Sequence, residues 1–164
     1  TIYVAHTNFD ISNVGMNAFL ADKLNLINQD IVDYTTLSEG LGRIGELATP
    51  IMLKEYINVV KNTLQVTSLR LIGDEKKRIK KVAICGGSGA SLIQQVHALN
   101  ADVYITGDIT YHHALDARAL GLNILDVGHN VEKLSLDYLN GFLQDKVQVK
   151  LITSITDTNP YIEK

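Results

Sequence analysis

Two pairs of residues in this sequence have the types and spacing of metal ligands. His129 and Glu132 follow Gly128, three residues apart at what reads as the start of a helix, so both side chains project to nearly the same side. Imidazole plus carboxylate is a usual ligand pair for borderline divalent metals. The plainer alternative makes Glu132 a first-turn acid favoured by the helix dipole and His129 a solvated loop residue. His6 and Asp10 form the second pair. A carboxylate at Asp10 could bridge two metals, or it could simply cap the helix that follows.

Three other features could do chemistry. Gly86-Gly87-Ser88-Gly89 lies between a strand and a helix and could cradle an anion on backbone N–H groups, or serve only as a tight turn. It lacks the Gly-Lys-Ser/Thr ending of a P-loop, and Leu92 stands where a dinucleotide fingerprint needs its third glycine. Asp108, His112 and His113 lie in or just before a helix. His112 is the best available proton-transfer candidate; the alternative is a helix N-cap region with exposed imidazoles. His97 reads as a surface residue at a helix end. Ser88 is in no G-x-S-x-G elbow and Cys85 sits in an apolar run, so nucleophilic catalysis is poorly supported.

The elements that must position these residues follow from periodicity. Residues 2–5 are apolar and β-prone. Residues 13–24 carry Met16, Phe19, Leu20 and Leu24 near helical spacing. Residues 31–37 read as a strand. Gly40, Gly42 and Gly45 suggest a flexible or tightly turned link, with a possible junction between lobes near residues 38–49. Thr49-Pro50 has the pattern of an N-cap and first helical position, opening a helix to about Asn62. Strands are then predicted at 66–72, 81–85, 102–106, 122–127 and 147–152. Helices are predicted to run through about Ala98, from Thr110 to about Leu120, and from His129 to about Leu143. Strand-helix alternation with short loops is the pattern of βαβ units. It predicts one α/β region over residues 1–164, with a mostly parallel sheet and helices packed on it. In such sheets ligands bind outside the carboxyl ends of the strands. Residues 6–10, 86–89, 107–108 and 128–129 would then share one rim.

Bulk properties narrow the function. The chain has 164 residues, 46% hydrophobic and 20% charged, enough for a real core. A formal net charge of −3 does not indicate a nucleic-acid partner. The cluster Lys76, Lys77, Arg78, Lys80 and Lys81 reads as a solvated turn. No apolar run is long enough to span a bilayer, and no signal-peptide pattern is visible. A single cysteine points to a reduced, cytoplasmic setting. The chain opens at Thr1 with no initiator methionine, which suggests a piece of a longer polypeptide.

Several blocks together resemble a known family. Val4-Ala5-His6-Thr7-Asn8-Phe9-Asp10 with Gly15-Met16-Asn17 is similar to its first block. Gly40-Leu41-Gly42-Arg43-Ile44-Gly45-Glu46-Leu47 is similar to its glycine-rich connection. Val82-Ala83-Ile84-Cys85-Gly86-Gly87-Ser88-Gly89 and the stretch from Tyr104 to His112 resemble its central blocks. Asp126-Val127-Gly128-His129-Asn130-Val131-Glu132-Lys133 resembles its last. This is the Nif-three-like family, whose bacterial members are called GTP cyclohydrolase I type 2 homologues or dinuclear metal-centre proteins. The resemblance implies two similar α/β lobes, a toroidal homohexamer, and two divalent metals per site (Zn, Fe, Mn or Co). It implies Asp10, His129 and Glu132 as metal ligands, with His6 orienting a ligand rather than binding the metal. The function implied is a metal-dependent hydrolase acting on GTP or a phosphoester as small-molecule substrate. The alternative is a non-catalytic, metal-binding oligomeric or regulatory protein. One departure stands out. The family also takes histidines from a segment upstream of the first block, and nothing in these residues matches it.

Overall fold

The computed structural model describes residues 1–161. Its elements run α1 (Thr7–Ile11), α2 (Met16–Lys23), β1 (Ile27–Tyr34), β2 (Gly40–Met52), α3 (Leu53–Thr63), β3 (Arg70–Ile72) and β4 (Arg78–Ser88). A 3-10 turn (Ala90–Leu92) then leads into α4 (Ile93–Ala98), followed by β5 (Val103–Gly107), α5 (Tyr111–Ala119) and β6 (Asn123–Asp126). A second 3-10 stretch (His129–Leu134) leads into α6 (Ser135–Gln144).

The strands form one six-stranded sheet in the order β1-β2-β4-β5-β6-β3. Period-two alternation along the central strands explains why both faces are covered. Val82, Ile84, Val103, Ile105 and Leu125 point to one face, where they meet Leu20 of α2, Leu24 just after it, and Leu53, Tyr56 and Val60 of α3. Ala83, Cys85, Tyr104 and Ile124 point to the other, against Ile93 and Val96 of α4 and Ala117 of α5. β5 is buried along its whole length, as a strand with helices on both sides must be. Each large apolar side chain so buried contributes roughly 1.5–3 kcal/mol.

The α/β class is as the sequence indicates, but the sheet is mixed rather than mostly parallel. β4-β5 and β5-β6 pair in parallel, while β1-β2, β2-β4 and β3-β6 are antiparallel. The parallel core is the βαβ portion that alternation revealed. The antiparallel pairs come from the β1-β2 hairpin, from β4 running back alongside β2 after α3 and β3, and from the short β3 at the far edge, none of which alternation reports.

Four local expectations are corrected. Residues 2–5 form no strand; Ile2, Tyr3 and Val4 are exposed, and no ladder pairs them among the described residues. Gly40, Gly42 and Gly45 lie within β2 instead of forming a link. A Cβ at Gly40 would stand 2.2 Å from the Asp33 carbonyl oxygen, and one at Gly45 2.9 Å from that of Ile27. These glycines allow β1 to approach closely. Thr49 and Pro50 are strand residues, and α3 starts at Leu53 after Met52 as N-cap. Residues 147–152 are not a strand and are mostly exposed. The basic cluster begins in a turn, where Asp74 Oδ1 accepts from the Lys76 N–H at 2.9 Å, and His97 is on the surface as read.

Candidate metal-binding rim

The rim is built where β4, β5 and β6 end side by side. Ser88 pairs with Gly107, and Thr106 with Asp126. Between the Ile84–Ile105 and Ser88–Gly107 pairs, β4 carries extra residues, a bulge that contains Gly87 with φ +67°. The three chains touch here. A Cβ at Gly107 would lie 2.7 Å from the Gly128 carbonyl carbon and 2.8 Å from the Gly87 carbonyl oxygen.

His129 and Glu132 meet on this rim, as their spacing suggested. They lie in the 3-10 stretch after β6, with His129 Nε2 3.3 Å from Glu132 Oε1. Asp108, at the end of β5, places its Oδ2 2.7 Å from His129 Nδ1. An ionised carboxylate only accepts, so the proton between these two belongs to Nδ1. In neutral His129 the Nε2 lone pair then faces a carboxylate oxygen. Two acceptors facing each other need a positive charge between them, either a proton or a cation.

Asp10 comes to the rim on a different element from the one expected. Its residues fold as α1, with Asp10 half-buried in the last turn, instead of following a strand. Two buried polar side chains hold this segment. Asn17, fully buried, donates through Nδ2 to the Asp10 carbonyl (3.1 Å) and accepts the Gly86 N–H at Oδ1 (2.9 Å). Arg43 donates to the carbonyls of Gly40 and Gly42 (2.8 Å each) and to that of Ser12 (3.0 Å). Burial pulls the Arg43 pKa down, with Tyr34 and Asp30 opposing the shift. Removing the Asn17 amide leaves a buried N–H and a carbonyl unpaired. Asn17→Ala should therefore lose about 1–2 kcal/mol in a urea melt, where Asn13→Ala on the exposed side should lose far less.

The electrostatics tie these groups together. Burial raises the Asp10 pKa, with His6 and His129 opposing. Burial also raises that of Glu132, again against His129, while Asp10 and Asp108 add to the rise and His6 opposes it. The Asp108 hydrogen bond raises that of His129 against a burial penalty, helped by Glu132, Asp108 and Asp10 charges. His6 thus lies within electrostatic reach of both carboxylates.

All three shifts are upward, so the folded protein binds protons more tightly than the unfolded chain at Asp10, Glu132 and His129. Their contribution to stability is fully present below the ordinary values of 3.8, 4.5 and 6.5 and is lost as pH rises through the higher folded values. In chelator, the melting temperature should start to fall as pH rises past about 4, through the two carboxylates, and should go on falling above pH 6.5 as His129 loses its proton. The fall should shrink in Glu132→Gln, and a flat profile in the wild type would contradict the arrangement.

Other candidates lie elsewhere or are already occupied. His112 is exposed on the first turn of α5, its ring edge-on to Tyr111. His113 Nδ1 is 3.1 Å from Thr110 Oγ1, and Thr110 is the N-cap of α5. In the 86–89 segment the Gly86 N–H goes to Asn17 and the Gly89 N–H to Thr106 Oγ1 (3.0 Å), so the anion cradle is reduced to its remaining amides. Cys85 is buried, and its thiol is pushed up to about 12 by that burial, which leaves it inert as a nucleophile. Sequence reading missed Asn17, Arg43 and Asp126 as builders of the rim, and the close approach of Gly87 to Glu132. Their signal is burial of a polar group, or a required close approach, and neither shows in spacing.

The donor chemistry suits a divalent cation at one edge. Two ligand atoms bound at about 2.1 Å in tetrahedral arrangement stand about 3.4 Å apart, close to the Nε2–Oε1 separation here. Gly87 lines that edge; a Cβ there would fall 2.1 Å from Glu132 Oε1 and 3.4 Å from His129 Nε2. Asp10 influences the pair electrostatically, but among the described residues no three His, Cys, Asp or Glu side chains are gathered tightly enough to hold a metal.

These features define a layered α/β protein with a carboxylate–imidazole rim at the ends of its parallel strands. The chain belongs to the family described as Duf34/NIF3 (NGG1p interacting factor 3), whose pattern matches residues 1–160. It is 42% identical over 135 residues to the "GTP cyclohydrolase 1 type 2 homolog" of Bacillus subtilis, covering 79% of this chain and 36% of that protein. It is 37% identical to the protein of the same name from Streptococcus pneumoniae, covering 98% of this chain and 63% of the relative. A crystal structure of a Bacillus cereus protein related to NIF3 superposes with a TM-score of 0.91 at 25% identity, covering 99% of this chain and 73% of that one. The chain thus spans only part of the length of these curated relatives. Among the described residues no helix is long and apolar enough to cross a membrane.

Proposed function

We propose that the rim binds a divalent cation between His129 Nε2 and Glu132 Oε1, with Asp10 closing on it as a third ligand. The observation that supports this reading is the pair of acceptors facing each other at 3.3 Å, one of them held in that orientation by Asp108. His129, Glu132 and Asp10 would hold the cation, and His6 would favour the ionised carboxylates. Such a cation supplies a Lewis acid that lowers the pKa of bound water and polarises a phosphoryl or ring carbon. The residues themselves orient the lone pairs and keep the edge open beside Gly87. The names of the relatives point to a GTP-like substrate, and a hydrolytic reaction on such a nucleotide or phosphoester is the activity we propose.

Titration calorimetry of chelator-treated protein with Zn, Mn, Fe or Co tests the binding step. Wild type should bind, and His129→Ala and Glu132→Gln should each weaken binding at least tenfold while keeping the wild-type circular dichroism. Binding unchanged in both variants would overturn the proposed site. Turnover assays on GTP and phosphoesters with the bound metal then separate hydrolysis from the non-catalytic alternative, which predicts binding without product.

A further inference from the structure

Asp108 occupies a backbone conformation that few residue types tolerate. It has φ +56°, in the left-handed region, immediately after Gly107 at the end of β5. Glycine or asparagine would fit that backbone as well or better. An aspartate there is explained by what its side chain does. It reaches across to the next strand end and accepts from His129 Nδ1 at 2.7 Å. Both partners are about half exposed, so burial does not force them together. The two residues lie just past the ends of the adjacent parallel strands β5 and β6, so the pairing of those strands brings them side by side.

We infer that Asp108 is a positioning residue that fixes His129 in the Nδ1–H tautomer and aims its Nε2 lone pair at the space beside Glu132 and Gly87. The role rests on the cation-binding reading of that space. Without the carboxylate, a free imidazole favours neither the ring rotation nor the tautomer the edge needs, since its orientation depends on the bond made by the other nitrogen. A carboxylate behind a ligating histidine fixes the ring and raises its basicity. Substituting an amide for that carboxylate can reverse the tautomer, because an amide N–H can donate where only acceptance serves.

The test uses Asp108→Asn and Asp108→Gly, both of which suit the left-handed backbone and so should fold normally. The first readout is a side-chain nitrogen–proton correlation spectrum of metal-free protein at alkaline pH, with His129→Gln used to assign the signal. Wild-type His129 should show a protonated Nδ1 and a bare Nε2. Both variants should move toward the Nε2–H form. The second readout is zinc titration, which should weaken roughly tenfold to a hundredfold in each variant. An unchanged tautomer in both variants overturns the inference. So does a changed tautomer with unchanged zinc affinity. If the tautomer changes as described but wild-type protein binds no zinc, the cation-binding reading fails while the tautomer lock stands, so the two failures are distinguishable.

Discussion

Asp126→Ala should cost about 2–4 kcal/mol of stability and disturb the rim at the same time. Asp126 is 4% exposed and ends β6. Its Oδ2 accepts the Ile109 N–H (3.1 Å), its Oδ1 accepts the Gly128 N–H (3.1 Å), and Arg70 pairs with it. Arg70 also donates to the Ile109 carbonyl at 2.8 Å. One carboxylate therefore fastens the start of the loop after β5 and the start of the loop after β6. Truncation strands two N–H donors, that of Ile109 buried and that of Gly128 partly buried, which is the expensive part. The Arg70 charge is cheaper to lose, because its side chain is 68% exposed and largely hydrated. Arg70→Met should therefore lose about 1 kcal/mol or less in a denaturant melt. Asp126→Ala should also weaken divalent-cation binding, because Gly128 precedes His129 and loses its anchor. Equal losses in the two variants would mean that the ion pair, not the N–H bonds, carries the stability.

The legible parts of this molecule were those whose physics is local. The central residues 82–85 of β4, 103–105 of β5 and 124–125 of β6 are apolar runs, so burial on both faces could be read from the sequence alone. The packing of His129 and Glu132 on one side follows from three-residue spacing, and their meeting at 3.3 Å agrees with it. Illegible parts depend on partners far along the chain. Ile2, Tyr3 and Val4 have strand-forming side chains, but a strand needs a neighbouring edge, and these residues are paired to none among those described. Gly40 and Gly45 look like breakers until the approach of β1 is known. The β4 bulge at Gly87 and the contact of Asp108 with a histidine 21 residues later are consequences of strand adjacency. So is the bridge that Asn17 makes to Gly86, across 69 residues. Asp10 shows both sides of this. Its membership of the rim was legible from the block it sits in, but the element that carries it was not.

Gly87→Ala should separate the site from the fold. Two penalties meet at this position. The backbone has φ +67°, where a Cβ costs about 1–2 kcal/mol. The new methyl would also stand 2.1 Å from Glu132 Oε1. That oxygen is the far end of a flexible, half-buried side chain, so the fold can relieve the collision by letting Glu132 swing away. Stability should therefore fall by little more than the backbone penalty, while cation affinity falls at least tenfold because the His129–Glu132 edge is broken. Gly121→Ala is the matching control. Its φ is +69° and nothing lies within 4 Å of a Cβ there, just past the end of α5. The control should lose a similar increment of stability and bind cations like wild type. If Gly121→Ala weakens cation binding as much as Gly87→Ala does, general loosening of the fold explains the loss. If both bind normally, Glu132 is not a ligand, and the edge beside His129 must be closed by another group.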